Sequence, residues 1–180
     1  MQRWSMRWWT SLTAGALLLS LSGAGLAHGP TRQKVVEKIT IEAPPEAVWA
    51  RIRDFAALKD WHPAVAASPA DKGNTVGSVR TLQIKGGGGL VETLEGYSEP
   101  DRKYSYRARD GGALPVTNYT STIQVSGDGR QSVVEWRGAF YRGHPNNDPP
   151  PEMNDEAAVK AITRVYKSGL ENLKTLIEGK

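Results

Sequence analysis

Five stretches of alternating apolar and polar residues between positions 76 and 142, followed by one long helical repeat, leave this chain few folds to choose from. A period of two puts successive side chains on opposite faces of a strand, and a period near 3.6 gathers them along one side of a helix. The predicted strands cover 78–84, 90–97, 103–109, 116–125 and 131–141. The glycine run 86–89 and the triplet Gly127-Asp128-Gly129 supply turns. An earlier alternating segment, 34–42, holds Val35, Glu37, Ile39 and Ile41 in phase. Pro44 and Pro45 then open a short helix, at the position where a missing N–H costs least. Val48, Ile52 and Phe55 form its apolar stripe, with Trp49 beside them. A second short helix is expected over 56–59.

The last helix is predicted over 154–178. Val159, Ile162, Tyr166, Leu170, Leu173 and Ile177 recur every three or four residues. Asn154 is placed to cap it, and Asp155 and Glu156 suit its positive end. A sheet with one apolar face needs a cover, and one long helix is there to provide it, so the class is α+β.

The first 27 residues read as a secretory signal. Arg3 and Arg7 give a positive start, an apolar stretch runs from Trp8 through Leu21, and Gly25 and Ala27 stand three and one positions before a cut ahead of His28. No acid occurs before Glu37. The two arginines are not adjacent, so general secretion to the periplasm is expected rather than twin-arginine export. The rival reading is a retained anchor, but the apolar run is short for a bilayer core of about 30 Å, which takes roughly 20 residues. Residues 28–33 are expected to be a mobile polar entry. Residues 34–180 read as a single domain.

Loss of the leader removes two arginines and no acid, so the formal net charge falls from +4 to +2. No basic patch with interleaved aromatics remains, and nucleic-acid binding is not expected. No second long apolar run follows, so no stable membrane insertion is expected after cleavage. The absence of cysteine excludes thiol catalysis, iron–sulfur clusters and cysteine zinc sites. The glycine run lacks the Lys-Ser/Thr of a phosphate loop. Asn146, Asn147, Asp148 and Glu152 offer oxygen ligands, but Pro149-Pro150-Pro151 stiffens the segment and the spacing is not an EF-hand. No metal and no cofactor is expected.

The order of elements resembles the helix-grip fold of the SRPBCC superfamily (START and Bet v 1-like, polyketide cyclase/dehydrase). Local motifs carry the resemblance: Ala43-Pro44-Pro45-Glu46-Ala47-Val48-Trp49 after the first strand, Asp54-Phe55 leading to Trp61-His62-Pro63, Gly77-Ser78-Val79-Arg80, and Val91-Glu92-Thr93-Leu94. The resemblance implies a curved antiparallel sheet of about six to seven strands wrapped around the long C-terminal helix, with two short helices after strand 1 and a cavity between sheet and helix. The leader, Trp61-His62-Pro63, Leu114-Pro115-Val116, Phe140-Tyr141-Arg142-Gly143 and Asn154-Asp155-Glu156-Ala157-Ala158 are similar to the MxaD-like branch, periplasmic proteins tied to bacterial methanol oxidation. That branch implies an accessory role, with methanol dehydrogenase or its cytochrome as partner.

In such a fold the inward residues are Tyr104, Tyr106, Tyr119, Trp136, Phe140 and Tyr166, with Trp61 near one end. Buried Tyr hydroxyls and Trp N–H groups need partners, so they suit either a ligand cavity or a polar-tipped core. Arg80 alternates in phase with Leu82 and Ile84, and Glu92 with Leu90 and Leu94. Both charges are therefore expected inside as a pair, because a lone buried carboxylate is costly. The pair reads as a salt bridge at the cavity wall or as an anchor for a ligand's carbonyl or carboxylate, to which an Arg fork is suited. His62 lacks an acidic or second histidine partner in sequence and is expected to pack or cap at the cavity mouth. No catalytic residue is assigned, because no acid or base stands at catalytic spacing. Three readings stay open: a periplasmic accessory protein without enzymatic activity, a carrier of a small apolar ligand or lipid, and a cyclase-like enzyme.

Overall fold

The computed structural model describes residues 29–179. The expected signal segment 1–27, and His28 after it, lie outside the described residues. Seven strands form one antiparallel sheet in the order β1-β7-β6-β5-β4-β3-β2. These are β1 (Gln33–Ile41), β2 (Val65–Ala67), β3 (Val79–Ile84), β4 (Gly89–Ser98), β5 (Lys103–Ala108), β6 (Val116–Asp128) and β7 (Gln131–Arg142). Helix α1 (Pro45–Ile52) and a 3-10 turn (Phe55–Asp60) follow β1, and helix α2 (Asp155–Glu178) closes the domain against β1 and β7. This is the α+β class that the strand and helix periods imply and the helix-grip architecture that the resemblance implies.

The alternating faces are those read from the sequence. Val134, Trp136 and Phe140 on β7, and Tyr104 and Tyr106 on β5, all point into the core. Gly86, Gly87 and Gly88 turn the chain between β3 and β4 with φ of 94°, 113° and 79°, a region closed to most side chains. A bulge on β6 between Thr117 and Thr120 breaks the alternation, so Val116 and Tyr119 both face inward. Asn118 absorbs the extra residue at φ 48°, and its N–H is held by Asp110 Oδ1 at 2.7 Å. Strand β2 has no counterpart in the sequence reading. Three residues after Trp61-His62-Pro63 are too few to show a period, and only pairing with Ile84 and Gln83 makes them a strand.

Helix α2 buries Ala158, Ile162, Tyr166, Gly169, Leu170 and Leu173, while the outlying Val159 and Ile177 are half-buried. Asn154 Oδ1 caps it by accepting from the Ala157 N–H at 2.8 Å. A buried arginine, Arg142 at the end of β7, ties the following loop to this helix. Its Nε donates to the His144 carbonyl (2.9 Å), Nη2 to the Asn146 carbonyl (2.8 Å) and Nη1 to Asp155 Oδ2 (3.1 Å).

Candidate functional site

Where the 3-10 turn, β2, the sheet and α2 do not fully meet, a hollow of about 120 Å³ remains. Aliphatic side chains make most of its wall: Leu58 from the turn, Val65 from β2, Leu82 and Ile84 from β3, Leu90 from β4, Leu114 from the β5–β6 loop and Val165 from α2. Five side chains with polar atoms share that wall, namely His62, Glu92, Tyr106, Tyr119 and Trp136.

Those five are half of the residues assigned to the cavity from the sequence. Trp61, Arg80, Tyr104, Phe140 and Tyr166 are fully buried but stand behind the wall. The concave face of the sheet is longer than the hollow, and other side chains fill its ends. Tyr104 packs against Trp49 and Phe55, with ring centroids 6.1 Å away in each case. Phe140 lies edge-on to Tyr119 at 6.1 Å, Trp61 stands 5.4 Å from Trp136, and Tyr166 stacks on Trp136 at 4.6 Å.

Arg80 and Glu92 face each other across β3 and β4 and form the expected ion pair, with side chains 1% and 4% exposed. Arg80 Nε and Nη2 both donate to the same oxygen, Glu92 Oε2, at 2.9 and 2.6 Å. Nη1 donates to the Phe55 carbonyl at 2.7 Å, and the guanidinium lies 4.0 Å over the Phe55 ring. Burial is the largest influence and works against the charge on Arg80, but the Glu92 carboxylate together with the Tyr104 and Tyr106 oxygens leaves the pKa above the ordinary arginine value. The fork read as an anchor for a ligand carboxylate is thus already engaged and stands behind Glu92. The carboxylate, not the guanidinium, faces the hollow.

His62 is equally engaged. Its Nε2–H donates to the Val165 carbonyl at 3.0 Å, and Nδ1 accepts the Ala64 N–H at 3.2 Å. That pattern fits the neutral ring with its proton on Nε2. Burial lowers its pKa below the ordinary 6.5, although the Val165 bond pulls the other way. Together with Asn172 Nδ2 donating to the Trp61 carbonyl at 2.9 Å, His62 fastens the Trp61-His62-Pro63 segment onto α2.

The remaining polar atoms form a chain of hydroxyls. Ser121 Oγ donates to the Arg137 carbonyl (3.1 Å) and meets the Tyr166 hydroxyl at 2.8 Å, which meets the Tyr119 hydroxyl at 2.8 Å. Trp136 Nε1 divides its proton between Ser121 Oγ (2.9 Å) and the Tyr106 oxygen (3.1 Å). Burial pushes Tyr104 up to about 12 and raises Tyr106, Tyr119 and Tyr166 as well, so all four keep their protons near neutrality. Ser121, the hub, is not among the site residues expected from the sequence. Its phase with Tyr119 and Ile123 was the available sign. Among the described residues no group of three or more His, Asp or Glu stands together to hold a metal, and no helix is long and apolar enough to cross a membrane.

A curved sheet clasping one helix over an apolar hollow with a few polar groups defines a helix-grip protein with an internal ligand-sized space. The comparisons agree. The family model described as "Polyketide cyclase / dehydrase and lipid transport" matches residues 32–178, and the chain belongs to that family. A Bacillus cereus protein named XoxI is 32% identical over 81% of this chain and 95% of its own, with a TM-score of 0.68. A protein from Nitrosospira multiformis is 27% identical over 81% of this chain and 96% of its own, with a TM-score of 0.65. The ZhuI aromatase/cyclase from a Streptomyces species shares the fold at 13% identity and a TM-score of 0.65, covering 82% of this chain and 94% of its own. A search of curated proteins finds no match.

Proposed function

We propose that this protein binds a small, mainly apolar molecule in the hollow between sheet and helix, and that it does so without catalysing a reaction. The observation that carries the reading is the aliphatic wall around about 120 Å³ of space. A somewhat larger dry cavity, about 150 Å³, takes up benzene in another protein. Pockets for drug-sized ligands run to roughly 300–1,000 Å³, so this hollow as it stands suits one ring or a short chain, not a lipid or a polyketide. The wall offers no free histidine and no second carboxylate, because both His62 nitrogens are held by backbone and Arg80 holds Glu92 through one of its oxygens. The test is thermal denaturation with toluene. At a hundredfold excess over Kd, binding adds about 2.7 kcal/mol, which raises Tm by about 5–10 °C in a domain of this size. Leu114→Trp fills the hollow and should remove the shift. No shift in the unmodified protein counts against the reading.

A second reading, an exported accessory protein of methanol oxidation, is favoured by the leader-like start and by the motifs similar to the MxaD-like branch. The Arg142 clamp also favours it, since it presents the loop after β7 in a fixed shape. Cross-linking in periplasm should return a quinoprotein dehydrogenase or its cytochrome. Recovery of neither at physiological salt argues against this role and leaves the cavity reading intact.

A further inference from the structure

The hydroxyl chain behind the hollow permits an accounting of protons. The Ser121 proton goes to the Arg137 carbonyl, which can only accept. The contact between Ser121 Oγ and Tyr166 therefore takes the Tyr166 proton, and the contact between Tyr166 and Tyr119 takes the Tyr119 proton. Ser121 Oγ also accepts from Trp136 Nε1, so its two lone pairs are filled. Tyr106 accepts from the same Trp136 N–H and has Ser121 as its other hydroxyl neighbour, so the fate of its own proton depends on what Ser121 can still accept. Ser121 has no lone pair left for it.

Glu92 shows the complementary gap. Both of the Arg80 bonds fall on Oε2, and Oε1 takes no hydrogen bond. Glu92 is 3% exposed, and it lines the hollow. Glu92 and Tyr106 both line the hollow from neighbouring strands. Glu92 pairs with Ala108 and Tyr106 with Leu94, which sets the two on one face, diagonally across β4 and β5. A donor on Tyr106 and an acceptor on Glu92 are thus left open on a mostly aliphatic wall.

We infer that the hollow selects a small ligand carrying a hydroxyl group, an alcohol or a phenol, whose oxygen accepts from Tyr106 and whose proton goes to Glu92 Oε1. A hydroxyl is the smallest organic group that both accepts and donates at one atom. A ligand carboxylate would meet the Glu92 carboxylate and be repelled, the opposite of what an exposed arginine would give. A ligand with no polar atom leaves both wall groups buried and unpaired, which lowers its affinity. The inference rests on the cavity-binding reading above and names the ligand class for it.

The test uses phenol and toluene, which differ only by OH against CH₃, with calorimetric titration of each into the intact protein. If the site pairs the hydroxyl, the phenol-to-toluene affinity ratio exceeds their water-to-cyclohexane partition ratio by at least about a hundredfold, since cyclohexane offers the hydroxyl nothing. In Tyr106→Phe the same ratio falls about tenfold, the cost of one missing hydrogen bond, while the Trp136 N–H keeps Ser121. The measurement on the unmodified protein stands whether or not that variant folds. Toluene binding with a ratio no better than the partition ratio overturns the hydroxyl site and leaves the cavity reading in place. Binding of neither molecule overturns both.

Discussion

Breaking the Arg80–Glu92 pair from one side should be among the most damaging single changes this core can suffer, and breaking it from both sides should be mild. The guanidinium and carboxylate are 1% and 4% exposed, and Arg80 makes two of its bonds to Glu92 and a third to the Phe55 carbonyl. Glu92→Leu leaves a buried cation with only that carbonyl and two aromatic faces, Phe55 at 4.0 Å and Tyr106 at 5.2 Å. Removing one partner of such a pair costs about 3–5 kcal/mol, a large part of the roughly 5–15 kcal/mol that holds a domain together. Arg80→Met leaves the carboxylate alone at similar cost. The double variant Arg80→Met/Glu92→Leu removes both desolvation penalties and fills the space with apolar atoms, so it should lie within about 2 kcal/mol of the parent. Urea unfolding followed by fluorescence reads all four proteins, since Trp61 and Trp136 are buried beside the site. Single variants within about 1 kcal/mol of the parent, or a double variant as costly as the two singles added, would refute the argument that the charges answer each other.

Three further outcomes are expected. Gly169→Ala, which in an exposed helix stabilises by about 1 kcal/mol, should here lower stability by about 1–3 kcal/mol, because the new methyl meets His62 Cδ2 at 2.6 Å and Trp136 Cζ3 at 2.8 Å; a raised Tm would contradict this packing. Tyr166→Phe keeps the stack on Trp136 but strands the Tyr119 proton, and should cost about 1–2 kcal/mol in urea titration; no loss would mean the hydroxyl chain contributes nothing. His62 has a folded pKa below its ordinary 6.5, so below pH 6.5 the unfolded chain binds more protons than the folded one. Stability present above 6.5 is then lost as the pH falls toward the folded value, at no more than about 1.4 kcal/mol per pH unit, and His62→Gln should flatten that slope. Asp71, Glu99 and Glu135 also have lowered pKa values and act in the same direction, but at lower pH, around the ordinary carboxylate range. A slope between pH 6.5 and 5 that survives in His62→Gln would place the titration elsewhere.

The fold was legible because it rests on periods. Alternation along 131–141 sends Val134, Trp136 and Phe140 inward, and alternation along 78–84 and 90–97 sends Arg80 and Glu92 inward as a pair, which the register then sets opposite each other. Arg142 follows Phe140 in the same phase, and its burial was readable on that ground, though its three partners in the next loop and on α2 were not. The wall of the hollow was half legible. Leu82, Ile84 and Leu90 share the phase of the charged pair, whereas Val65 sits on a strand too short to have a period and Leu114 on a loop with none. Phase gives the face on which a residue lies. It does not say where along that face the packing stops, and so Tyr104 and Phe140 were assigned to a space that Trp49, Phe55 and Tyr119 fill or border.

The polarity of the site lay beyond the reach of phase for a different reason. A sequence lists hydrogen-bonding groups, but recognition depends on which of them are left over once the fold has used the rest. Arg80, a five-donor fork, could serve either a salt bridge or a ligand, and the fold turns it onto Glu92 and Phe55. Tyr106, Tyr119 and Tyr166 look alike as three inward tyrosines, yet Ser121, through its bond to a backbone carbonyl, sets the direction of the chain and leaves only the first of them a proton to give. Replacing that serine by alanine should therefore do more than remove a small polar side chain. It would release the Tyr166 proton from its acceptor and free Tyr166 to donate to Tyr119, reversing the order of the protons without moving a ring.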